Sequence, residues 1–192
     1  MAKPYPSELV RTLTLRDGTR VVVRPIRPED RQIEKEFVQQ LSNESKYFRF
    51  MSGLRELSEA MLNRFTQIDY DRELALIAMV CENAKETEIG VARYVVNADN
   101  ISCEFAVAVA DAWQNRGVGT ALILGLAEAA RARGLRTMEG IVVARNSKML
   151  GLMNALGFSV RAEPGDPSIR HVTKQLDMTS SASIRASSAA PL

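Results

Sequence analysis

Apolar and polar positions along the chain follow two periods, and the switches between them outline the elements. Val10 to Leu15 and Arg20 to Arg24 alternate as half-buried strands do, with Asp17-Gly18 between them as a hairpin signal. Arg24-Pro25-Ile26-Arg27-Pro28-Glu29-Asp30 then breaks the strand, and Pro28 with its two acids opens a helix. Ile33, Phe37 and Leu41 recur every four residues and predict one buried face for that helix. A second short helix is expected within Ser42 to Arg55, before a loop at Ser52-Gly53. Ser58 is placed to cap a third, Glu59 to Phe65.

Strand periodicity returns at Leu74 to Cys81, Glu88 to Val96 and Ile101 to Val109, with polar turns at Glu82 to Glu86 and at Asp99-Asn100. Thr120 to Arg133 reads as a helix that ends at Gly134 with Leu135 as the apolar contact beyond it. Thr137 to Val143 is a strand. Asn146 or Ser147 caps a last helix with Met149, Leu150, Met153 and Leu156 inward. Gly157 ends it, Phe158 to Val160 is a strand, and Ile169 to Leu176 is one more. Residues 1–9 are expected to fray. Residues 177–192 are Ser/Ala-rich without periodicity and are expected to be disordered.

Composition narrows the classes. A length of 192 residues fits one domain, here 10–176. A net charge of +2 gives no nucleic-acid footprint. Cys81 and Cys103 both sit in strand-like runs and read as small core residues, which points to a cytoplasmic home. His171 is the single histidine, so neither a histidine triad nor a zinc site is expected, and no metal is assigned. No leader is recognised, and no apolar run reaches the ~20 residues that span a bilayer.

The chemistry concentrates at Gln114-Asn115-Arg116-Gly117-Val118-Gly119-Thr120, between a strand and a helix. Glycines there let the backbone approach a ligand, and the free N–H groups of the first helical turn attract an anion. A dinucleotide fingerprint would want a third glycine where Leu122 stands, and the Gly-Lys-Ser/Thr of a P-loop is absent.

The run Trp113 to Gly119, followed by Ala132-Arg133-Gly134-Leu135, Asn146 and Leu156-Gly157-Phe158, resembles the second half of a GNAT-family N-acetyltransferase. Leu15-Arg16-Asp17-Gly18-Thr19, residues 24–30 and residues 41–50 are similar to the GNAT domain of bacterial Pat-type protein lysine acetyltransferases. The resemblance implies an α/β (α+β) fold with a central mixed, mostly antiparallel sheet and helices on both faces. It implies acetyl-CoA as co-substrate and Glu104 as general base. Val107, Ala108 and Val109 would run beside the pantetheine arm, with a backbone N–H near Val109 on the thioester carbonyl. Gln114 opens the cofactor loop, backbone groups of Asn115, Arg116, Gly117, Val118, Gly119 and Thr120 would take the pyrophosphate, and Asn146 would hold the pantetheine. Arg116 and Arg145 could offset phosphate charge. Tyr47, Phe48, Arg49 and Phe50 would border the acceptor groove.

Two positions depart from relatives. Met153 stands where many carry a tyrosine acid, and Ile141 where some carry a glutamate, leaving Glu139 as a reserve base. The acceptor expected is a protein lysine, with an AMP-forming acyl-CoA synthetase as lead target. A small amine acceptor and a non-catalytic acyl-CoA sensor are the alternatives. No membrane partner is expected, and monomer or homodimer stays open.

Overall fold

A computed structural model describes residues 3–82 and 85–176. Eight strands form one sheet in the order β1-β2-β3-β4-β5-β6-β8-β7. They are β1 (Arg11–Thr14), β2 (Arg20–Pro25), β3 (Glu73–Glu82), β4 (Lys85–Val96), β5 (Ser102–Val109), β6 (Thr137–Val143), β7 (Ser159–Glu163) and β8 (Asp166–Gln175). Every neighbouring pair is antiparallel except β5 and β6, which run parallel. That exception follows from the connection. A helix, α4 (Val118–Ala132), joins β5 to β6, as a parallel crossover requires.

Strand alternation sends side chains to two cores. On one face Tyr94, Cys103, Phe105 and Met138 pack against Leu122 and Leu126 of α4, and Met153 of α5 (Ser147–Ala155) joins them. On the other face Ile77, Val91 and Ala108 meet Phe37 and Val38 of α1 (Arg31–Gln40) and Leu62 of α3 (Glu59–Thr66). A short helix between them, α2 (Asn43–Phe50), is capped by Ser42, whose hydroxyl accepts from the Ser45 N–H at 3.1 Å. The mixed sheet with helices on both faces is the architecture expected from the sequence.

Several local readings change. The β3–β4 ladder continues to Glu82 opposite Lys85, so the stretch expected to turn is mostly strand. Cys81, expected in the core, is exposed opposite Glu86 near the hairpin end, while Cys103 is buried. Burial pushes the Cys103 thiol up to about 12. Residues 3–9, expected to fray, lie against the sheet: the Tyr5 hydroxyl donates to the Pro25 carbonyl at 3.2 Å, and its ring meets Tyr70 edge-on. The Ser/Ala-rich stretch 177–192 lies outside the described residues. Among the described residues, no helix is long and apolar enough to cross a membrane.

Candidate active site

The site begins where β5 and β6 part. The two strands pair over three positions only, Ser102 with Thr137, Cys103 with Met138 and Glu104 with Glu139. β5 then continues to Val109 against β4, and β6 to Val143 against β8. Between them opens a cleft whose walls are two unpaired strand edges. Gly140, the first β6 residue past the fork, has no room for a side chain: a Cβ would lie 3.0 Å from the Phe105 carbonyl and 3.0 Å from its ring. A cavity of about 500 Å³ fills the cleft and runs from Glu104 to the glycine turn.

The β5 edge presents backbone groups in a known sense. The Ala110 N–H donates to the Ile89 carbonyl at 2.9 Å, so Ala110 faces β4. By alternation, the main-chain groups of Val109 and Val107 face the cleft. The Val109 carbonyl is taken there by the Gln114 side chain at 3.2 Å, which leaves the Val109 N–H as the donor aimed into the cleft. Ile89 is the extra residue of a bulge, since Ala78 pairs with Gly90 but Met79 with Glu88.

At the far end, Asn115 and Gly117 adopt left-handed backbone, with φ of 60° and 93°. This coils the chain so that α4 starts at Val118, two residues before the expected start, with Gly117 as its N-cap. The first helical bond runs from the Ala121 N–H to the Gly117 carbonyl. The N–H groups of Val118, Gly119 and Thr120 precede it and have no intrahelical acceptor, which makes an anion cradle. Gly119 allows close packing here, because a Cβ would come within 3.3 Å of Leu152.

The remaining wall of the cavity comes from α2 and the residues after it. Phe48, Arg49, Phe50 and Met51 line the cavity opposite Glu104 and Ile141. α2 is tied to the glycine turn through Asp111, whose carboxylate accepts from the Ser42 N–H at 3.0 Å, the Ser42 hydroxyl at 2.8 Å and the Ser45 hydroxyl at 2.9 Å. Burial alone would raise the Asp111 carboxyl, but these donors hold it below its usual value. Arg145 reaches across from the β6–α5 loop, its guanidinium 4.7 Å above the Tyr47 ring.

The expected site residues therefore fall into three groups. Glu104, Val107, Ala108, Val109, Asn115, Gly117, Gly119, Thr120 and Asn146 line the one cavity. Gln114 lines it too, but its amide braces Val109 and the Ser45 hydroxyl. Val118 is buried in the core at 2% exposure and offers only its backbone. The Arg116 guanidinium turns away. It lies 4.2 Å above Trp113 and pairs with Asp17 in the β1–β2 turn, so it offsets no charge inside the cavity.

Asn146 lines the cavity and caps α5 by accepting from the Met149 N–H at 3.1 Å, and among the described residues its amide nitrogen has no acceptor. Glu139 accepts from the Asn97 amide at 2.7 Å. Asp111 and Gly140 were missed from the sequence although each left a mark, a charge between Ala110 and Ala112 and a glycine inside a strand run. Among the described residues, no cluster of three or more potential metal ligands occurs.

A parted parallel pair feeding a left-handed glycine turn is a specific arrangement, and the profile of the acetyltransferase (GNAT) domain matches residues 20–159. The chain belongs to the GNAT acetyltransferase family. An acetyltransferase of Pseudomonas aeruginosa is 37% identical to this GNAT chain over 153 residues, 80% of this chain and 82% of that one. Acetyltransferase Pat of Mycolicibacterium smegmatis is 29% identical over 144 residues, 74% of this chain but 42% of that protein. The crystal structure of the GNAT domain of S. lividans PAT matches with a TM-score of 0.81 at 30% identity, covering 90% of this chain and 99% of that one. The yncA protein of Salmonella typhimurium, solved with its cofactor acetyl-CoA, shares the GNAT fold at a TM-score of 0.63 and 19% identity, covering 83% and 96%.

Proposed function

We propose that this GNAT enzyme moves the acetyl group of acetyl-CoA to an amine, the side chain of a protein lysine, with Glu104 as general base. The observation that carries the reading is the fork. Glu104 stands at its closed end, and the free β5 edge runs from there to the anion cradle. An extended pantetheine arm fits such an edge as an added strand would, with its diphosphate on the Gly117–Thr120 amides. The thioester then lies between Glu104 and Val109. Relatives and neighbours named as acetyltransferases support the donor.

The chemistry follows from pKa values. A lysine amine with a reference pKa of about 10.4 arrives protonated and must lose that proton before it can attack. Glu104 is exposed to the cavity, and among the described residues nothing donates a hydrogen bond to it, so its carboxylate is free to accept. The amine nitrogen attacks the thioester carbonyl, and the developing oxyanion accepts from the Val109 N–H. Collapse breaks the C–S bond, and the remaining extra proton of the attacking nitrogen goes to the CoA thiolate once it has left. The CoA thiolate leaves without a tyrosine acid, because Met153 is fully buried in the core; a thiol of pKa about 8.5 is a workable leaving group.

The test is an acceptor panel. The protein is incubated with acetyl-CoA and, separately, an AMP-forming acyl-CoA synthetase, unrelated lysine-bearing proteins and free amines. Thiol release and mass spectrometry are read together. Acetyl-lysine on a protein at rates well above any free amine is expected. Binding of CoA with no acetyl transfer to any amine would instead make the chain an acyl-CoA sensor.

A further inference from the structure

Arg49 stands apart on the acceptor side of the cavity. It belongs to α2, lines the cavity beside Phe48 and Phe50, and is only partly exposed. Its guanidinium lies 5.0 Å from the centre of the Phe50 ring and 6.0 Å from that of Phe65. Among the described residues, no carboxylate or carbonyl takes a hydrogen bond from it. Burial lowers its pKa, with Glu34 opposing the shift. An arginine carries five N–H donors in a fixed fork, and those of Arg49 meet no acceptor among the described residues while the side chain opens to the cavity.

The charges behind Arg49 do not neutralise it. Glu34 on α1 and Glu88 on β4 are 3% and 2% exposed. Glu34 Oε2 and both Glu88 oxygens have no hydrogen-bond partner among the described residues. Burial raises both carboxyls, and each faces the other, so the pair retains a proton above the usual carboxylate range.

Arg93, 7% exposed, donates to the Phe65 carbonyl at 2.6 Å, and its Nε is unpaired. Arg24 and Asp30 cancel each other in a forked pair at 2.6 and 2.7 Å. Two arginines, Arg49 and Arg93, are thus set against two buried carboxyls whose neutral form burial favours. The surplus is positive, and only Arg49 opens to the cavity.

We infer that the Arg49 guanidinium is a carboxylate subsite of the acceptor cavity, so that the preferred acceptor carries a carboxylate close to its reacting amine. This rests on the reading that the Phe48–Met51 wall receives the acceptor. A planar carboxylate matches the guanidinium fork with two parallel hydrogen bonds, and it meets the surplus charge. Glu104 then takes the cationic end of the acceptor and Arg49 the anionic end. The carboxylate can belong to an acidic residue beside the target lysine or to the α-carboxylate of a free amino acid.

Matched acceptors separate the two sources. One pair is a set of blocked lysine peptides with Glu or Gln beside the lysine; the other is free lysine against lysinamide. With the full chain and saturating acetyl-CoA, the carboxylate member of one pair should be favoured about tenfold or more in kcat/KM. The pair that shows the preference names the source. In Arg49→Met the ratio should fall to about one, and Arg49→Lys, which keeps the charge without the fork, should lie between. Calorimetric acetyl-CoA binding checks that each variant is folded. Equal rates within both pairs, or a preference that survives Arg49→Met, would overturn the subsite alone. If the parent binds acetyl-CoA but acetylates no member of either pair, the acceptor role falls and the subsite falls with it.

Discussion

Glu104 and Glu139 face each other across the last rung of the β5–β6 ladder, and only one of them is held. Glu139 accepts from the Asn97 amide at 2.7 Å, while among the described residues Glu104 has no donor and opens to the cavity. Two carboxylates at one fork thus have different duties. Glu139 is tied to the β4–β5 turn and braces the fork. Glu104 remains available to a substrate.

The width of that fork depends on Gly140. An alanine there would press on the Phe105 carbonyl, which is backbone and cannot turn aside. Gly140→Ala should cost about 1–3 kcal/mol of stability, as overpacking does, and shift β5 relative to β6. Thermal unfolding should show the loss, and kcat/KM should fall further than the small volume change suggests. A variant with the parent's melting temperature and activity would refute the tight fork.

Gly117 tests the cradle by a different route. Nothing lies within 4 Å of where its Cβ would sit, but its φ of 93° disfavours any L side chain. Gly117→Ala should therefore destabilise by about 1–2 kcal/mol through the backbone alone. If the turn relaxes instead, acetyl-CoA affinity should drop, because the Val118–Thr120 amides lose their aim. Calorimetric titration beside thermal unfolding distinguishes the two, and no change in either would contradict the strained cradle.

Glu88 makes a prediction about pH. Burial raises its carboxyl well above the ordinary value, so the folded state keeps a proton that the unfolded chain releases near pH ~4.3. The folded state then binds more protons, and stability falls as pH rises from that point toward the folded pKa. Glu88→Gln removes the titration. Its stability relative to the parent should improve as pH rises above the ordinary carboxylate range, read in denaturant melts. A constant difference across that rise would show that Glu88 does not hold its proton.

Strands, helices and the glycine turn were legible because each rests on local periodicity or on a backbone need that glycine meets. The fork was not, since where two distant strands stop pairing leaves no mark in either run. Arg116 shows the same limit: its position beside the turn was clear, but its partner Asp17 is 99 residues away. Cys81 departs from expectation because an apolar strand run does not reveal that its last residues project past the core toward the hairpin end. Glu34 carried a signal that went unread. With Phe37, Val38 and Leu41 it completes an i, i+3, i+4, i+7 stripe, so the helix pattern itself places it on the buried face.

The most direct measurement compares Glu104→Gln with the parent, recording steady-state acetyl transfer to a lysine acceptor and acetyl-CoA affinity on the same preparations. The amide keeps the shape but cannot take a proton. Turnover should fall by about 10²–10⁴-fold while affinity for acetyl-CoA stays within about twofold. A Glu104→Gln protein that transfers acetyl groups as fast as the parent would contradict the assignment of the base and the chemistry built on it.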